Sequence, residues 1–199
     1  MRTFLKIAGF LVLAACSGDW RTDYEAPLDT AVTRNWTVRD VIVQVPDTLT
    51  TTEENSYAPN ADIVWHGEPF GDRRAQVAAI VDEGITQGAR PLRGSQPVNL
   101  IVTLRQFHAL TPKARSLAPS AVHNISYMMQ VVDARTGDAV TEPELIFADL
   151  MAFTGSAAVE AVLQGETQKV RITRHLKDVT AGWLGIGPDP RQSFSSAGR

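Results

Sequence analysis

The stretch HNISYMMQVVD, residues 123–133, alternates with period two. Ile125, Tyr127, Met129 and Val131 share one face, against Asn124, Ser126 and Gln130 on the other. That pattern predicts a half-exposed strand. The next residues, DARTGDAV (133–140), read as a hairpin turn in which Gly137 supplies a positive φ. ELIFADLMAF (144–153) then returns as a second strand. Upstream, VNLIVTLRQFHAL (98–110) places Val98, Leu100, Val102 and Leu104 on one face, a third strand. Between these strands, residues 111–121 carry Pro112 and Pro119 and read as a loop.

Working outward, WTVRDVIVQV (36–45) is rich in β-branched residues and is stopped by Pro46. Val41, Val43 and Val45 share one face, with Val38 and Ile42 on the other, so this strand is expected to be buried on both sides. Residues 46–62 are polar and read as a loop, and ADIVWHGEPFG adds a short extended piece. Asp72 has the chemistry of a helix N-cap, and Gly88 that of the residue just past a helix end. Between them Val77, Ile80, Val81, Gly84 and Ile85 form one stripe. A final helix runs from about Glu166 to Leu184, with Ile172, Leu176, Val179 and Trp183 as its buried stripe. The predicted fold is α+β, in the order β-α-β-β-β-α. Its sheet is mainly antiparallel, with helices packed on one face. The first strand needs a crossover through the helix to pair parallel in that sheet. Residues 36–186 form the single domain, preceded by a flexible tether (16–35) and followed by a loose tail (187–199). Nineteen flexible residues, 17–35, would span about 24 Å as a coil and at most about 65 Å extended.

The beginning of the chain points to a compartment. Arg2 and Lys6 precede an uncharged apolar run from Ile7 to Ala15, too short to span a bilayer as a helix. Leu13-Ala14-Ala15-Cys16 then resembles a bacterial lipoprotein signal in all four positions. The resemblance implies cleavage before Cys16, a diacylglyceryl thioether on its sulfur and acylation of the new N-terminus. Cys16 is the chain's single cysteine, so it has no internal disulfide partner. Ser17, where an aspartate would resemble an inner-membrane retention signal, favours the outer membrane, facing the periplasm.

Loss of Arg2 and Lys6 with the leader leaves 17 basic against 22 acidic residues, a net charge of −5. No basic excess points to nucleic acid or to a general grip on anionic lipid. His66, His108, His123 and His175 show no metal-ligand spacing, and no metal or other cofactor is expected. Phosphate-binding glycine loops and a G-x-S-x-G elbow are both lacking, and lipidation would consume the one thiol, so no catalytic residue is assigned.

One patch stands apart: ADIVWHGEPFGDRRAQV (61–77). Trp65, His66, Glu68, Phe70, Arg73 and Arg74 crowd a helix start, and both arginines occupy a first turn whose dipole disfavours cations. They are the candidate partner-binding residues, since aromatics and arginine are enriched in contact hot spots. Read as a helix cap instead, the patch would bury Trp65 and Phe70 against the sheet and pair the arginines with Glu68 or Asp82. A second basic run, Lys169, Arg171, Arg174, His175 and Lys177, reads as a solvated helix face, with Arg174 and Asp178 as an i,i+4 pair.

LAAC, the 61–77 segment, RITRHLKDV and WLGIGPDP together resemble an uncharacterised family of alphaproteobacterial lipoproteins. The element order is also similar to that of small periplasmic domains in bacterial lipoproteins, some of them accessory subunits of envelope machines. The resemblance implies compartment and fold but no activity. The expectation is a non-enzymatic, lipid-anchored adaptor whose partner is another envelope component. The alternative is a carrier of a hydrophobic small molecule in a cavity between sheet and helices.

Overall fold

The computed structural model describes residues 19–195; the leader, Cys16 and Ser17 lie outside them. Eight strands form one open, mostly antiparallel sheet: β1 (Asp19–Asp23), β2 (Trp36–Gln44), β3 (Ile63–Val64), β4 (Gln96–His108), β5 (Ala121–Asp133), β6 (Glu144–Ala148), β7 (Leu150–Ala152) and β8 (Gln192–Ser195). Five helices complete the fold: α1 (Thr30–Thr33), α2 (Arg73–Ala89), α3 (Pro112–Leu117), α4 (Gly155–Leu163) and α5 (Gln168–Trp183). The strand order is β2-β4-β5-β6-β1-β8, with β3 beside β4 and β7 beside β5.

The α+β class and the antiparallel run β4-β5-β6 are as the sequence predicts. β2 pairs parallel with β4 through the α2 crossover. On the inner face Val98, Leu100, Val102 and Leu104 of β4 lie against Ile125, Tyr127, Met129 and Val131 of β5, all fully buried. α2 and α5 cover that face, α5 with the predicted stripe of Ile172, Leu176, Val179 and Trp183. Asp72 caps α2 by accepting from the Ala75 amide at 3.1 Å.

Several elements differ from expectation. The register of β2 shifts between Val38 and Asp40, so Val38 joins Val41 and Val43 on the inner face. Ile42 stays exposed on the outer face, because β2 is an edge strand covered on one side only. Residues 112–117 form α3 rather than loop, with Thr111 as N-cap and Pro112 in the first turn, where a missing N–H costs nothing. ELIFADLMAF is interrupted at Asp149 into β6 and β7. Residues 157–164, whose sequence leaves open a separate helix or an extension of the last one, belong largely to a separate helix, α4, over 155–163.

The tether and the loose tail are corrections of the same kind. Trp20, Thr22 and Tyr24 alternate with the opposite face, and Thr22 and Tyr24 are buried. β1 inserts between β6 and β8, so both ends of the described chain belong to the sheet. The connection to β2 is fixed too: the Leu28 amide donates to the Trp183 carbonyl at 2.7 Å, and Thr30 Oγ1 to the Gly185 carbonyl at 2.8 Å.

Gly88 does not end α2, which continues through Ala89. Its role is close approach. A Cβ at Gly88 would lie 2.5 Å from the Lys177 carbonyl oxygen and 2.7 Å from Thr180 Cβ, and one at Gly84 2.6 Å from Leu176 Cβ. The two glycines, one turn apart, let α2 and α5 pack backbone to backbone. Gly88→Ala would ordinarily raise helix stability by about 1 kcal/mol. Here overpacking against a carbonyl costs about 1–3 kcal/mol, so urea unfolding should show a net loss. A more stable Gly88→Ala protein would contradict this packing.

Candidate functional site

The α2 start is built on Trp65, which follows β3 and is fully buried, its ring edge-on to Phe107 with centroids 5.8 Å apart. Trp65 Nε1 donates to Glu68 Oε2 at 2.9 Å, and Lys169 Nζ donates to Glu68 Oε1 at 2.8 Å. Burial pushes the Glu68 carboxyl up, but those two donors together with the charges of Lys169 and Arg73 hold it below its usual range. Glu68 thus joins β3, the α2 start and α5.

Arg73 is 7% exposed. It forms a two-point pair with Glu53 at 2.7 and 3.0 Å. It also donates to the carbonyls of Glu68 and Pro69 at 3.1 Å each and to Gln76 Oε1 at 2.8 Å. Arg74 donates to the carbonyls of Pro46 (2.7 Å), Asp47 (3.1 Å) and Leu49. Each arginine therefore donates to backbone carbonyls within residues 46–69, which ties that segment to the start of α2. This explains two cations in an unfavourable first turn: their charge serves the loop, not the helix. Glu53, not Glu68 or Asp82, is the carboxylate partner of Arg73, and its own pKa is held down by that bond.

Phe70 does not bury. It is 83% exposed, with the Arg73 guanidinium 5.7 Å from its ring centroid. Together with Thr51, Glu53 and Arg73 it borders a surface groove of about 330 Å³. His66 is half-buried beside it, and burial lowers its pKa. Of the six sequence-predicted residues, Trp65, Glu68, Arg73 and Arg74 are committed to internal bonds. Phe70 is the one whose ring faces solvent.

The second basic run is not a uniformly solvated face. Arg171 stacks on Phe153 at 3.8 Å and donates to the Met151 carbonyl at 2.7 Å. Arg174 pairs with Glu166 at 2.7 and 2.8 Å rather than with Asp178. His175 Nε2 lies 3.2 Å from Thr22 Oγ1, and burial lowers its pKa to about 4. Lys177 is exposed. His123 is fully buried and lowered to about 3 by desolvation, with Arg171 and His175 adding repulsion. His108 Nε2 is 3.0 Å from the Pro59 carbonyl. Among the described residues, no three His, Cys, Asp or Glu side chains are grouped as metal ligands.

Sequence reasoning missed Asp149, a buried carboxylate in an apolar stretch. It accepts from the Arg21 amide (3.0 Å), Asn124 Nδ2 (2.7 Å) and the Ile125 amide (3.1 Å). The Asp149 carbonyl accepts from Thr22 Oγ1 at 2.9 Å. Burial pushes the Asp149 carboxyl up, against donors that favour its charge. A lone acid inside ELIFADLMAF was the available signal.

An open sheet roofed by two helices, with a stapled loop over one helix start, defines an α+β domain. The chain belongs to a family of unknown function (DUF6778), whose family model matches residues 36–199. No protein of curated function matches it in sequence. Among solved structures it is similar to a candidate lipoprotein from Caulobacter crescentus CB15, at 13% identity over 78% of this chain and 94% of that one, with a TM-score of 0.35. It is also similar to two PelC dodecamer structures from Paraburkholderia phytofirmans. One shares 10% identity over 81% and 97% of the two chains, TM-score 0.30; the other 9% over 81% and 98%, TM-score 0.28. Likenesses this slight carry no argument about function.

Arg73→Ala removes both bonds to Glu53 and the donors to two loop carbonyls. It should cost about 2 kcal/mol in urea unfolding, since bonds to charged groups are worth about 1.5–3 kcal/mol. Unchanged stability would show that the arginine is not structural.

Proposed function

We propose that this protein is a non-enzymatic adaptor of the bacterial envelope, held to the outer membrane through acylated Cys16 and facing the periplasm. The observation that carries the anchor is Leu13-Ala14-Ala15-Cys16 behind a charged, short apolar leader. No described helix is long and apolar enough to cross a membrane, so the anchor rests on the cysteine. Stable attachment takes more than one acyl chain, which such a cysteine provides.

Binding is supported by the α2 start. Its frame is fixed by Glu68, Arg73 and Arg74, and Phe70 projects from that frame into solvent. An exposed aromatic carried on a braced loop is a typical contact residue. The carrier alternative has less support. The space between sheet and helices is occupied by Trp36, Trp65, Trp183, Tyr127 and Phe107, each under 2% exposed.

One experiment tests both parts. Envelope membranes carrying the wild type are crosslinked, and intact mass is taken on the same material. The mature chain should begin at Cys16 with the added mass of its acyl groups. Phe70→Ala should keep its melting temperature and lose crosslinked partner. A bare polypeptide with a free thiol would overturn the anchor, and undiminished crosslinking would move the binding surface away from Phe70.

A further inference from the structure

The geometry points to the α4 end of the domain as a surface that lies directly on the lipid bilayer. This inference rests on the acylation of Cys16 proposed above. On α4, Val159, Val162 and Leu163 are exposed, Leu163 to 83%, and their i, i+3, i+4 spacing makes one apolar stripe. Glu160 and Gln164 fall on the flank of the helix away from Val162. Phe153, just before α4, is 45% exposed. An uncovered apolar patch of this kind marks an interaction site.

Where the described chain starts identifies the occupant. β1 runs antiparallel to β6, with Thr22 opposite Ala148 and Asp23 opposite Phe147. Going back from Thr22 to Asp19 therefore carries the chain past Ala148, level with β7 and towards α4. It leads away from the hairpin at Gly137. Only three peptide units separate Cys16 from Asp19, a reach of at most about 11 Å. A lipid on Cys16 would hold this end of the sheet, and not the opposite one, against the membrane. The nineteen-residue spacer expected from sequence does not exist to lift it away, because β1 is already in the sheet.

Charge agrees with a lipid surface. Arg115 borders one groove with Phe153 and Val162, and another with Val159. Arg171 stacks on Phe153 at 3.8 Å. Guanidinium groups beside an apolar stripe suit the phosphate level of a bilayer, with the apolar side chains below it. Because the mature chain carries −5 overall, this contact orients the domain; the acyl chains hold it.

The test uses the acylated full-length protein in vesicles of phosphatidylethanolamine and phosphatidylglycerol. Acylation blocks Cys16, so a single environment-sensitive fluorophore can be placed through Leu163→Cys, or through Arg135→Cys in the hairpin. The two sites are set apart by the length of β5, thirteen residues or roughly 40 Å. The Leu163 label should shift to the blue and be quenched by nitroxide-bearing lipid, and the Arg135 label should do neither. Adding Val159→Glu and Val162→Glu should return the Leu163 label to an aqueous spectrum while flotation with the vesicles persists. An aqueous Leu163 label on a protein of lipidated mass overturns the docking surface alone. So does a shift seen in native membranes but absent from protein-free vesicles, which would assign the patch to a protein. A bare polypeptide mass overturns the anchor and this inference together.

Discussion

The buried carboxylate of Asp149 fixes the side of the molecule on which the rest depends. A carboxylate out of water is costly unless donors surround it. Three donors do, from Arg21, Asn124 and Ile125, and they belong to two strands far apart in sequence. The bond to the Arg21 amide holds β1 against β6, and β1 in turn pairs with β8. Both ends of the described chain are thereby drawn into the sheet. A peripheral segment becomes structural, and the distance between domain and Cys16 shrinks from a tether to a few residues.

The rest of the fold rests on contact at close range. Gly84 and Gly88 let the α2 backbone close on Leu176, Thr180 and the Thr173 and Lys177 carbonyls of α5, and the roof they form seals the inner faces of β4 and β5. A short Trp65–Glu68–Lys169 chain ties that roof to β3. Arg73, through the Glu53 carboxylate, and Arg74, through the carbonyls of Pro46, Asp47 and Leu49, then bind the long polar loop. Phe70 and Leu163, each 83% exposed, are the large apolar side chains that this framework leaves most open to solvent among the described residues.

Strands with a strict period of two, such as 98–104 and 125–131, were legible because one face is sealed and the other open. So were α5, with its four-residue stripe, and the Asp72 cap. β1 was not, because its alternation covers only Trp20, Thr22 and Tyr24 and its partners lie more than 120 residues away. The Arg39 region of β2 misled for a different reason: the shift at this bulge moves Val38 to the opposite face. Gly88 has the same chemistry at a helix end and at a helix crossing, and only packing tells them apart. In the candidate site, the odd placement of Arg73 and Arg74 was visible in sequence. Its cause, the Glu53 carboxylate and the carbonyls of Pro46, Asp47 and Leu49 in the upstream loop, was not.

Integration of β1 into the sheet is the claim on which the domain's limits and the short reach to Cys16 both stand. Native-state hydrogen exchange of the full chain measures it residue by residue. The Arg21 and Thr22 amides should exchange in the same slow class as those of Leu100 and Tyr127. Exchange of residues 19–23 at the rate of an open, unstructured segment would contradict the account and restore the tether.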